Sequence, residues 1–169
     1  MLINVFVSRP TVIDDAFESA YGLFDEFLKV QGFVMRRLGR SDYSRKAPLL
    51  AVMDIIEQCC GTLVLGYPQT HVRHEIKRSA QVLNSVGYLF PSTWNQIEGA
   101  LAFRSKRPVL VVAHPGIEGG VFDHGVTGEC VLHVDLSQKD WFQQALFSQP
   151  FGEWRADVER IAGDLGQRI

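Results

Sequence analysis

Thr62-Leu63-Val64-Leu65-Gly66 is a near-continuous apolar run bounded by Gly61 and by Tyr67-Pro68. A strand with one wet face alternates apolar and polar residues. This one does not alternate, so it reads as a central strand of a parallel sheet, covered on both faces. Arg107 to Ala113 is a second buried run, and Ile3 to Ser8 is a third strand, rich in β-branched and aromatic residues and stopped by Pro10. Phe33 to Leu38 and Val131 to Leu136 supply two shorter strands.

Helical spacing fills the intervals. Thr11 offers an N-cap, with Asp14 and Asp15 in the first turn, and Phe17, Tyr21, Phe24, Phe27 and Leu28 recur every three to four residues until Gly32 ends the helix near Val30. Pro48 opens a second helix through Leu49, Leu50, Met53, Ile56 and Glu57, which Gly61 closes. Ser92 caps a third, running to about Arg104, with Trp94, Ile97, Leu101 and Ala102 along its apolar side. Two short helices, Lys139 to Phe147 and Glu153 to Leu165, finish the chain. The stretch Tyr67 to Pro91 is long and mixed, with a helix expected over Glu75 to Leu83 and loop elsewhere. Gly39 to Lys46 reads as a polar loop. Strands alternating with helices predict an α/β fold, a flavodoxin-like doubly wound five-stranded parallel sheet flanked by helices, in a single domain over 1–169.

Composition narrows the function classes. The 169 residues are 46% hydrophobic, enough for one core, and 17 basic residues face 19 acidic ones for a formal charge of −2. No basic footprint for nucleic acid follows from that balance. The short cluster Arg36-Arg37-Leu38-Gly39-Arg40 reads as a solvated loop or, in its sharper form, as an anionic-ligand site. The start of the chain lacks a basic head or cleavage site, no apolar run approaches about 20 residues, and a cytoplasmic protein is expected. Cys59, Cys60 and Cys130 form no C-x-x-C pair and read as buried thiols. His71-Val72-Arg73-His74 has ligand-like spacing but no completing pair, so no metal is expected.

Ligands of such sheets bind beyond the C-terminal strand ends. That rim comprises Ser8-Arg9-Pro10, Leu38 to Tyr43, Gly66-Tyr67-Pro68 and His114 onward. The turn Val-Ser-Arg-Pro-Thr after the first strand is not glycine-rich, which disfavours a Rossmann cofactor or a P-loop. It offers instead a hydroxyl, a guanidinium and a helix N-terminus, suited to a phosphate or carboxylate. Glycines 116, 119, 120 and 125 fit no phosphate-cradle pattern and read as a flexible lid or turn cluster, in which Asp123 and His124 are candidate ligand contacts. No G-x-S-x-G elbow signals a serine nucleophile. There remains Glu98, four residues after Trp94 and beside the apolar stripe of its helix. A solvated helical acid is one reading. The other is a carboxylate in a pocket with an aromatic neighbour, able to stabilise an oxocarbenium ion or to act as nucleophile.

Ser92-x-Trp94-x-x-x-Glu98 resembles the S-x-W-C-x-x-E signature of Toll/interleukin receptor (TIR) domains, with Asn95 in place of the usual cysteine. Val5-Phe6-Val7-Ser8 is similar to the first strand of that family. Glu98-Gly99-Ala100-Leu101-Ala102 followed by Arg107-Pro108-Val109 also resembles a segment of nucleoside 2-deoxyribosyltransferases, although the aspartate-bearing stretch of that family is replaced by Pro91-Ser92-Thr93-Trp94. The likeness spans roughly Leu2 to Val112. It implies cleavage of an N-glycosidic bond in NAD, or alternatively in a nucleoside or nucleoside monophosphate, with no further cofactor. Glu98 would be the carboxylate, Trp94 a pocket wall, and Ser8 and Arg9 would sit under phosphate or ribose. Pro10, Tyr67, Asn95 and Asp123 complete the candidate substrate contacts. Homo-oligomeric assembly is implied as well, and the aromatic tail residues Trp141, Phe142, Phe147 and Trp154 would form either its interface or part of the core. A non-catalytic nucleotide sensor or assembly module is the alternative from another class.

Overall fold

A computed structural model of the chain describes residues 2–39, 45–72, 88–127 and 131–166. The elements in order are β1 (Ile3–Ser8), α1 (Asp15–Val30), β2 (Phe33–Arg36), α2 (Pro48–Glu57), β3 (Gly61–Gly66), β4 (Thr70–Val72), β5 (Tyr88–Phe90), α3 (Thr93–Arg104), β6 (Val109–Ala113), β7 (Val131–His133) and α4 (Ala145–Gly166). Among the described residues, five strands form one parallel sheet in the order β2-β1-β3-β6-β7. Counting only these strands, that is the 2-1-3-4-5 order of the flavodoxin-like fold, with its switch point between β1 and β3. The fold class is therefore as the apolar runs predict.

Every residue of β3 and β6 is buried, whereas the edge strand β2 is only half covered. Alternation along the strands explains which helix each residue meets. Val5 and Val7 of β1, Leu63 and Leu65 of β3, and Leu110 and Val112 of β6 join α1 and α4 in one core. Phe6 packs with Val52, Ile55 and Ile56 of α2, and Val64 and Val111 pack with Ala102 of α3. Both faces are thus sealed.

Several boundaries shift, each for a local reason. Asp14, not Thr11, caps α1, its carboxylate accepting from the Ala16 amide at 2.9 Å. Gly32 stands just past the end of that helix at φ 86°, as a terminating glycine should. Gly61 does not close α2, which ends at Glu57 with Gln58 as its C-cap; it opens β3 under α4. The strands β2 and β7 end earlier than expected, at Arg36 and His133, whereas β6 ends at Ala113 as expected and starts later, at Val109. The predicted break between two terminal helices is absent. After a short turn at Trp141–Gln143, α4 runs unbroken through Pro150. An interior proline costs about 3 kcal/mol, and the continuous stripe Phe147, Phe151, Trp154 and Val158, all buried, offsets it. Those residues and Trp141 and Phe142 complete the core, so they offer no exposed interface.

In the mixed stretch, β4 and β5 pair antiparallel, Thr70 opposite Phe90, a ribbon where loop is expected. The expected Glu75–Leu83 helix lies outside the described residues, as do His74, Cys130 and residues 40–44. Cys59 and Cys60 are buried free thiols. Among the described residues, no helix is long and apolar enough to cross a membrane.

At Gly61 the α4 side chains press directly on the sheet backbone. A Cβ there would collide with the Val158 side chain and stand 3.2 Å from both the Pro108 carbonyl oxygen and the Trp154 ring. Gly61→Ala is expected to lower stability by about 1–3 kcal/mol, read as a reduced midpoint in urea unfolding with an unchanged slope.

Candidate functional site

The site begins at the end of β1. Ser8 follows Phe6 by two residues and therefore leaves the sheet on the same face, toward α2 and α3. Arg9, in phase with Val7, leaves on the opposite face, toward α1. Its guanidinium lies over the Tyr21 ring at 3.9 Å, a cation–π contact. One tetrapeptide thus sends a hydroxyl to one side of the switch point and a cation to the other.

The third helix arrives above Ser8 with an inward face that differs from the expected one. Ser92 caps α3 as predicted, accepting from the Asn95 amide at 3.2 Å. The stripe turned to the sheet, however, is Asn95, Glu98, Gly99 and Ala102, at i, i+3, i+4 and i+7. Trp94 is 45% exposed instead, and Ile97 and Leu101 are only half-buried. Small residues permit the close approach: a Cβ on Gly99 would stand 3.0 Å from Val121. Gln96 pins the helix sideways, its amide nitrogen donating to the Gly119 carbonyl at 2.9 Å and its oxygen accepting from the Val121 amide at 3.0 Å. The glycine-rich segment is therefore a braced set of turns and not a free lid.

Glu98 consequently points at the strand end. Ser8 Oγ donates to Glu98 Oε2 at 2.6 Å. Asn95, wholly buried, donates from Nδ2 to Ser8 Oγ at 2.9 Å. The removal of water from around the Glu98 carboxyl raises its pKa from the ordinary 4.5 to about 7, against the smaller opposing effects of the Ser8 hydrogen bond and the Arg37 charge. The solvated-acid reading is excluded by this geometry. At neutral pH the group sits near its midpoint and can accept or release a proton.

In front of it opens a cleft of about 460 Å³, lined among others by Arg9, Pro10, Arg37, Gln69, Trp94 and Glu98. Two guanidinium groups converge on one acceptor there: Arg9 Nη1 and Arg37 Nη2 both donate to the Pro10 carbonyl, at 3.2 and 3.5 Å. Arg9 is 6% and Arg37 8% exposed, so Arg37 of the arginine cluster is not a solvated loop residue. Arg9 has a distant counter-charge in Glu18 at 3.9 Å, and its Nε and Nη2 find no acceptor among the described residues. Buried guanidinium donors without acceptors make a place for an anion.

Of the expected site residues, Ser8, Arg9, Pro10, Trp94, Asn95 and Glu98 are brought together. Tyr67 stands behind them, fully buried and edge-on to Phe17 and Tyr21, its hydroxyl pushed above its usual pKa by burial. Asp123 accepts from the Gly119 amide at 2.6 Å and braces the turns, away from the cleft lining. His114 turns to Phe17 and stands 3.5 Å from Asp135. Arg37 joins the site from the arginine cluster whose sharper reading is an anionic-ligand site, and Gln69 joins it with nothing local to mark it. Among the described residues, no group of three histidine, cysteine or acidic side chains could hold a metal ion.

The sequence matches no family model and no curated protein sequence. Among solved structures, the TIR domains of the activated Roq1 resistosome directly recognizing the pathogen effector XopQ align with 95% of this chain and 84% of theirs, at 14% identity and a TM-score of 0.41. A likeness at that identity concerns the fold alone, and it adds nothing to the strand order read from the backbone hydrogen bonds.

Because Glu98 binds its proton more tightly when folded, the native state holds more protons than the unfolded one between pH 4.5 and about 7. Stability contributed by the neutral acid is therefore lost as pH rises through that window. Glu98→Gln, neutral throughout, is expected to match the wild type at pH 4.5 and to exceed it at pH 8 by up to about 3 kcal/mol. Thermal melts of both proteins across that range measure the difference.

Proposed function

We propose that the chain cleaves the N-glycosidic bond of NAD or a closely related nucleotide, with Glu98 as the carboxylate beneath the scissile sugar. The observation that carries this reading is a dehydrated carboxyl, held by Ser8 at the mouth of a cleft that also presents two buried arginines and an exposed indole. An acid placed only for helix stability would remain in water.

The roles follow from the chemistry of each group. Arg9 and Arg37 suit the pyrophosphate of the substrate. The Trp94 ring offers a face for a base or for the nicotinamide. The bond from the ribose anomeric carbon to the pyridinium nitrogen breaks, its electron pair leaves with nicotinamide, and the ring's positive charge passes to the sugar. Ionised Glu98 stabilises the resulting oxocarbenium ion. Water then attacks the anomeric carbon and yields ADP-ribose, its proton passing to Glu98 and on to solvent; attack by the substrate's own adenine gives a cyclised product instead. No leaving-group acid is required, because nicotinamide departs neutral.

Incubation with NAD is expected to release nicotinamide. Glu98→Gln should lower kcat by at least about a hundredfold while retaining the fold by circular dichroism. Because ionised Glu98 is the active form, the rate should fall as pH drops through about 7. The homo-oligomer implied by the resemblance would appear as specific activity that rises with protein concentration. Turnover of nucleosides but not of NAD would move the substrate to that class, and tight NAD binding without product would leave a sensor.

A further inference from the structure

Asn95 occupies the one fully buried polar position on the inward stripe of α3 among the described residues, and it stands beneath Glu98 rather than in the cleft lining. Its amide orientation follows from its partners. Nδ2 lies 3.4 Å from the Leu65 carbonyl oxygen, which can only accept, so the nitrogen and not the oxygen must face that side. The same nitrogen lies 2.9 Å from Ser8 Oγ. On the other side, Oδ1 accepts from Ser92 Oγ at 3.1 Å, and Ser92 Oγ accepts in turn from the Asn95 backbone amide. Every hydrogen in this chain has one direction. Ser8 Oγ receives a hydrogen bond from Asn95, so its own proton is left for Glu98 Oε2.

We infer that Asn95 is a positioning residue that acts through Ser8, aiming the serine hydroxyl proton at Glu98 Oε2 so that the hydrogen bond favours the carboxylate and orients it toward the cleft. The inference rests on the proposed role of Glu98 for its consequence in catalysis, but the orientation itself is a property of the folded chain. A serine without this donor is free to turn its proton to another acceptor, and Glu98 then loses the hydrogen bond that favours its charged form. The other groups facing Glu98 are the Arg37 charge, which arrives after β2, Arg9 from the end of β1, and Ser92 and Trp94 from its own helix. Substitution at position 95 alters none of these but Ser92, whose hydroxyl loses the Asn95 Oδ1 acceptor while keeping its cap on the helix amide.

The experiment follows the Glu98 side-chain carboxyl by carbon-13 NMR through a pH titration, its resonance identified by its loss in Glu98→Gln. Asn95→Ala is expected to raise the Glu98 midpoint above its native value by about half to one pH unit. Ser8→Ala should raise it at least as far, and the double substitution Ser8→Ala/Asn95→Ala should shift it no further than Ser8→Ala alone. A purely structural asparagine would leave the midpoint in place, and an effect independent of Ser8 would add in the double variant; either result overturns the inference. Should Asn95→Ala fail to fold, Asn95→Leu keeps the volume and removes the donor without adding charge, and an unmoved Glu98 midpoint there is equally fatal. The acid limb of the NAD cleavage profile should move with the midpoint. Absence of any NAD turnover by the native chain would count against the proposed activity, while the titration would still decide the role of Asn95.

Discussion

The contact on which the site depends is the 2.6 Å hydrogen bond between Ser8 at the end of β1 and Glu98 on α3. It ties a helix to the switch point of the sheet across 90 residues of chain, and it does so with a carboxyl that would be better hydrated elsewhere. Burying a carboxylate is costly without partners, and here the compensation is incomplete: one hydroxyl, and a guanidinium at a distance. The residue of that cost appears as the raised proton affinity of Glu98.

Geometry around that contact comes from two independent constraints. Strand alternation divides Ser8 from Arg9 and sends them to opposite faces, so the hydroxyl meets α3 while the guanidinium meets the Tyr21 ring of α1. Helix placement then decides what stands above the serine. Gly99 lets α3 approach Val121, Gln96 locks it to the turns at Gly119 and Val121, and Ser92 with Asn95 fixes its first turn. Because β1 and β3 point the same way, their ends and the start of α3 share one rim, and the cleft opens there.

Periodicity is a poor guide to individual residues at several places in this chain. In α3 the large apolar side chains do not mark the buried face, since the sheet is met by an asparagine, a glutamate, a glycine and an alanine. A hydrophobic pattern cannot reveal a face whose fit depends on small size and on hydrogen bonds. Pro150 misled for the opposite reason: its local cost is real, but the burial of Phe147, Phe151 and Trp154 outweighs it. Asp123 and Tyr67 carry suitable chemistry and stand on suitable segments, yet the turn bracing of one and the complete burial of the other keep them from the cleft lining.

What the chain order alone determined is the architecture, and it singled out one acid as a candidate. Apolar runs without alternation at 62–66 and 107–113 require a sheet covered on both faces, and the helices between them require parallel strands. Ser8, Arg9, Trp94 and Glu98 were legible because motif spacing and strand ends are local properties. Only the tertiary structure decided that Glu98 is turned inward, that Arg37 joins Arg9 at the Pro10 carbonyl, and that Asn95 is buried with its side-chain amide donating to Ser8. Burial, proton affinity and hydrogen-bond direction depend on neighbours distant in the chain, and those neighbours are set by packing, which no local pattern encodes.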